Sequence, residues 1–133
     1  MKYLCLVYGE EKALAGMADE HCVDYDERIR ASGHCIASEA LQPVATATTV
    51  RVRNGKVSVT DGPFAETKEI LAGFYLIDVR DLNEAIQVAS RIPPAAVGCV
   101  EVRPIRPIRE AVSSRRPAAR EESMTPSASP GTR

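Results

Sequence analysis

The sequence has no long apolar run. Nothing in it approaches the ~18 consecutive apolar residues of a membrane-spanning helix, and Met1-Lys2-Tyr3 passes directly into a strand pattern without a signal-peptide layout. A cytoplasmic protein that does not enter a membrane is expected. A C-x-x-C pair is missing too. Cys5, Cys22, Cys35 and Cys99 are scattered at spacings that fit no zinc template, and an even count without a secretory start is weak support for disulfides. Cys5 and Cys99 lie inside apolar strand patterns and are read as small buried hydrophobes. There is no phosphate-binding glycine loop, no Ser or Cys nucleophile motif and no metal-ligand cluster, so neither a metal nor a nucleotide cofactor is expected. Clustered positive charge is also lacking. The net charge is -1, and the stretch from Ala111 onward holds four Arg and two Glu, leaving thirteen of the 17 bases and sixteen of the 18 acids in residues 1–110. That mildly acidic part has no surface suited to neutralising phosphates, which argues against direct nucleic-acid binding.

What is present divides into residues 1–110, long enough for one domain, and residues 111–133, whose Ser, Pro, Ala and Arg carry no apolar periodicity and read as a disordered tail. Tyr3 to Tyr8 is a short apolar run and predicts an interior strand. Ala18, Cys22, Tyr25 and Ile29 recur at helical spacing, with Gly33 placed as the glycine after the helix end. His34 to Leu41 predicts a second strand, closed by Gln42-Pro43. Thr46 to Thr60 predicts a hairpin near a sheet edge: Asn54-Gly55 is a type I′ pair, and folding there sets Val50 opposite Val59 and Val52 opposite Val57 on one oily face. Leu71 to Val79, apolar on both faces, predicts a central strand with a close backbone approach at Gly73. Asp81 and Glu84 resemble a capping box for a helix with the stripe Leu82, Ala85, Ile86 and Ala89, stopped by Pro93-Pro94. Val97 to Ile105 is the last strand, with Val100 and Val102 on one face and Glu101 and Arg103 on the other.

Treating the hairpin as an insertion, the order is β-α-β-β-α-β, the split βαβ or ferredoxin-like plan of the α+β class. Two helices cover one side of such a sheet. Strands apolar on both faces then need a second cover, and another copy of the sheet is the simplest, which predicts a homodimer with the sheets face to face.

The chain is organised around Asp61-Gly62-Pro63-Phe64-Ala65-Glu66-Thr67-Lys68-Glu69. Gly62 admits positive φ, Pro63 fixes its own φ, and an aspartate before them can accept backbone N–H groups, so a rigid loop is expected. Phe64 offers an apolar anchor, whereas Glu66, Lys68 and Glu69 need partners or water. Glu101 and Arg103 project between the two sheets in this plan and must be paired there. They read either as an anion or carboxylate pocket, with Arg51 or Arg53, or as a structural network with Glu66, Lys68 or Glu69. Phe64, Phe74, Tyr75 and Tyr3 are either pocket walls or core and interface.

The string Asp61 to Glu69, followed by Gly73-Phe74, resembles the signature of the DGPF-domain branch of the YCII-related family. Gly33, Leu41-Gln42-Pro43, the helix start from Asp81 to Ala85 and Glu101-Val102-Arg103-Pro104 also sit where that pattern has them, and the likeness extends over about Met1 to Ile108. The resemblance implies a dimeric α+β barrel in bacterial cytoplasm, often encoded beside an extracytoplasmic-function sigma factor, with no established reaction. It also implies that His21 and Asp61 are the nearest counterparts of an acid–base pair proposed in relatives. Asp61 is otherwise explained as the cap of its own turn, and His21 as a residue at the edge of the helix packing. Two functions follow as expectations. One is a dimeric binding or regulatory protein of uncharacterised role, whose inter-sheet cleft is rimmed by Gly62, Pro63, Phe64, Glu66, Lys68, Glu101 and Arg103 and holds a small ligand or a partner segment, with the Arg-rich tail as a flexible contact to a protein such as a sigma factor. The other is a cofactor-free enzyme using His21 and Asp61 on a small polar organic molecule.

Overall fold

The computed structural model describes residues 1–115. Its elements are β1 (Lys2–Gly9), α1 (Glu11–Ala15), α2 (Asp19–Ala31), β2 (Cys35–Ala40), β3 (Thr48–Arg53), β4 (Lys56–Asp61), β5 (Ile70–Asp78), α3 (Leu82–Ala89), β6 (Cys99–Pro104) and α4 (Ile108–Arg115), with 3-10 turns at Val44–Thr46 and Pro93–Ala96. The tail expected from Ala111 therefore begins inside α4, and residues 116–133 lie outside the described residues. Among the described residues no helix is long and apolar enough to cross a membrane.

The main sheet runs β2-β5-β1-β6 with every neighbour antiparallel, the ferredoxin-like order. Strand alternation decides its two faces. In β1, Tyr3, Cys5 and Val7 are buried, whereas Leu4, Leu6 and Tyr8 are only half-buried. Register carries the same division outward: Cys5 lies opposite Tyr75 and Val102, and Leu6 opposite Phe74 and Glu101. The closed face packs on Tyr25 and Ile29 of α2 and on Ala85, Val88 and Ala89 of α3. The Tyr25 hydroxyl ties the two helices by donating to the Val88 carbonyl at 2.9 Å. A polar pin joins α2 to β2: Arg30 donates from Nε to Asp26 at 2.9 Å and from a terminal nitrogen to Ser38 Oγ at 2.8 Å, while Ser38 Oγ donates to Asp26. Buried Ser38 is thereby satisfied.

Most local expectations hold, and the departures have physical causes. Gly33 ends α2 at φ +84°. Asp81 caps α3 by accepting from the Glu84 N–H at 3.0 Å, but the Glu84 carboxylate accepts from Arg80, one residue before the cap. That cap sets the phase of α3 so that Ala85, Val88 and Ala89 face the sheet, leaving Leu82 and Ile86 half exposed on its flank. Asn54 and Gly55 both take positive φ, and Val50–Val59 and Val52–Val57 pair as the turn requires. The hairpin is nevertheless a separate two-stranded ribbon and not an edge of the main sheet. One end of the ribbon follows the 3-10 turn at Val44–Thr46, and the other runs into Gly62 and Pro63, which has no N–H to extend a ladder. Cys99 is exposed on the open face, unlike buried Cys5.

Two glycines mark where backbones nearly touch. A Cβ on Gly73 would stand 2.8 Å from the Glu39 carbonyl oxygen, and one on Gly98 only 2.0 Å from that of Tyr8. Both neighbours are backbone atoms and cannot swing aside. Gly73→Ala is expected to destabilise the fold by about 1–3 kcal/mol, and Gly98→Ala by more. Urea denaturation of the two variants checks the order, and equal or reversed losses would contradict the packing.

Candidate functional site

The face turned away from the helices is the first feature of the site. Along it, Leu4 lies opposite Leu76 and Arg103, Leu6 opposite Phe74 and Glu101, and Tyr8 opposite Leu71 and Cys99. An apolar centre is thus bordered on the β6 side by charge. Glu101 and Arg103 are brought together, with Oε2 and Nε 3.5 Å apart and side chains 47% and 69% exposed. Such an exposed pair contributes at most about 1 kcal/mol.

The loop after β4 is fixed at both ends. Gly62 takes φ +103°, its N–H donates to the Ala47 carbonyl at 2.7 Å, and its carbonyl accepts from the Thr49 hydroxyl at 2.8 Å. Thr67 Oγ1 donates to the Glu69 carbonyl at 2.7 Å, Lys68 lies 3.7 Å from Glu10, and Cys99 Sγ approaches Glu69 Oε1 at 4.0 Å. Cys99 shares the open face with Glu101 and Arg103, so the far end of the loop reaches that face. Between the anchors, Pro63 is half-buried, Glu66 is exposed, and Phe64 is 80% exposed.

Asp61 does not cap the turn as expected. Its carboxylate has no hydrogen-bond or ion-pair partner among the described residues, because the Ala47 carbonyl and the Thr49 hydroxyl already satisfy Gly62. His21 is exposed on α2, on a shallow surface shared with Asp19, Glu20, Asp24 and Glu27, and no hydrogen bond or ion pair joins it to Asp61. No group of three or more potential metal-binding His, Cys, Asp or Glu occurs among the described residues.

One feature escaped sequence reasoning. An open cleft of about 840 Å³ lies between α1, the start of α2, the Leu41-Gln42-Pro43 turn and the β2–β5 junction. Leu14, Met17, Leu41, Ile70 and Phe74 form its apolar walls, while Glu11, Lys12, Asp19, Cys22, Glu39 and Tyr75 add polar groups. The α1 side is strapped to the turn, since Glu11 accepts from the Val44 N–H at 2.8 Å. Burial, with Asp19 nearby, pushes the Cys22 thiol up, so it stays protonated and is a poor nucleophile at neutral pH. The Tyr75 hydroxyl is likewise raised, by burial first and by Asp26 second, and has no hydrogen-bond partner among the described residues. Gly73 was the available signal. The close approach it permits draws the end of β2 against β5 at one wall of the cleft.

Comparison with known proteins adds the lineage. The model of the YCII-related domain matches residues 1–109. The chain belongs to the YCII-related family. An uncharacterised protein of Rhizobium meliloti (strain 1021) is 35% identical over 118 residues, covering 79% of this chain and 92% of the relative. The family match stops inside α4, so the ferredoxin-like unit and the YCII-related domain coincide.

Thiol chemistry offers a check on this YCII-related chain. Burial, reinforced by Cys35, pushes the Cys5 thiol from 9.0 up to about 11. The folded state therefore holds a proton that the unfolded chain releases, and the associated stability is present below pH 9 and lost as pH rises through about 11. Tyr25, pushed to about 12 by burial, extends the loss above pH 10. Thermal melts from pH 8 to 11 should fall, and Cys5→Ala should flatten the decline between pH 9 and 10. A thiol reagent at pH 7.5 should label exposed Cys99 first and Cys5 only on unfolding.

Proposed function

We propose that this YCII-related chain is a binding protein that works as a homodimer, with the open faces of two sheets opposed and the Asp61–Glu69 loop at their seam. The observation that carries the reading is the apolar centre formed by Leu4, Leu6, Tyr8, Phe74 and Leu76, which the single chain leaves only half-buried. Apolar surface on that scale is stabilised by removal from water, and the same patch on a second copy is self-complementary about a two-fold axis. Phe64, 80% exposed on an anchored loop, suits an anchor for a partner surface better than a solvated tip. Glu101 and Arg103 then border a hollow between the sheets. There the carboxylate of one and the guanidinium of the other meet a small polar ligand or a partner segment, with Gly62, Pro63, Glu66 and Lys68 at the rim.

Size exclusion with light scattering tests the reading. Micromolar protein should run at twice the 14.4 kDa chain mass. Leu6→Glu, which places a charge in the centre of the patch, should weaken the dimer by at least about 100-fold while retaining the circular dichroism of the fold. A monomer for the unmodified chain would overturn the proposal.

A further inference from the structure

The cleft beside α1 meets the open face at Phe74, and its other walls come from α1, the start of α2 and the β2–β5 end of the same chain. Its polar groups are unevenly matched. Glu11 is engaged by the Val44 N–H, whereas Asp19 and Glu39 have no ion-pair or hydrogen-bond partner among the described residues. Lys12 is the lone basic side chain on the lining. Asp19 is favoured where it stands by the N-terminal turn of α2. Glu39, near the end of a strand, has only the longer-range attraction of Arg30. The lining also includes Phe74, which pairs with Glu39 across β2 and β5, and Tyr75, its neighbour on the other face of β5. An anion would meet two free carboxylates, and a wholly apolar molecule would leave them without a counter-charge.

We infer that the cleft binds a small amphipathic amine, its apolar body against Phe74, Leu14 and Met17 and its protonated nitrogen against Glu39 and Asp19. The volume, about 840 Å³, is of the size that encloses one small organic molecule. Charge supplies discrimination and the apolar wall supplies most of the affinity. Each chain supplies the whole lining of its own cleft, and Phe74 belongs both to it and to the face proposed for the dimer.

The test uses the full chain and three matched probes: phenethylamine, the neutral 2-phenylethanol and the anionic 3-phenylpropionate, titrated at pH 7 and followed by backbone amide shifts. Phenethylamine should bind at least about fivefold more tightly than the alcohol, and the carboxylate more weakly than either. Shifts should map to residues 39–43 and 72–75. Glu39→Gln should weaken the amine about threefold and leave the alcohol unchanged, with Asp19→Asn giving a smaller loss. Both positions are exposed, so the variants should fold. Equal binding of the three probes, absence of binding at millimolar amine, or an amine affinity indifferent to Glu39→Gln would each overturn the inference.

Discussion

A single four-stranded sheet has two faces, and two helices can close only one of them. In this chain the side chains on both faces are largely apolar, because the central strands β1 and β5 carry Tyr, Leu, Val, Phe and Ile at successive positions rather than alternating oily and charged residues. The closed face solves its half internally, with Cys5 and Ile77 wholly buried under α2 and α3. The remaining half is the constraint from which the functional reading follows. Charges are confined to its margin, where Glu101 and Arg103 alternate along β6 against Val100 and Val102.

The loop after β4 belongs to the same constraint. Its backbone is held by hydrogen bonds at Gly62 and Glu69, and what it presents between them is an aromatic ring. Ordering such a segment costs conformational entropy, which a purely solvated loop has no contacts to offset. The family relationship is consistent with this domain-wide organisation, since the match begins at β1 and ends inside α4 rather than stopping at the loop.

Much of this was legible in the sequence because it rests on local chemistry. Strand alternation in β6, the Asn54-Gly55 turn, the glycine after α2 and the tight approach at Gly73 are each decided by a few neighbouring residues. What was not legible depends on the meeting of distant ones. Helix α1 has five residues, too few to show a period. The cleft is made of element ends from four separate stretches, none with a pattern of its own. Asp61 looked like a cap because its neighbours invite one, but Ala47, fourteen positions away and unremarkable in sequence, took the N–H instead. In α3 the small residues Ala85 and Ala89 let the helix sit close to the sheet once the Asp81 cap has set its phase, and the larger Leu82 and Ile86 stand at its side.

The detached ribbon of β3 and β4 has a consequence for how such a chain behaves in a crowded cell. Each of its strands has a neighbour on one side only, and its four valines are 57–67% exposed. A free edge of that kind is a template on which another strand can grow. Arg51, Arg53 and Lys56 lie along it, so that copies approaching edge to edge meet like charge before their backbones can pair. The basic side chains thus act as a guard against runaway edge-to-edge stacking.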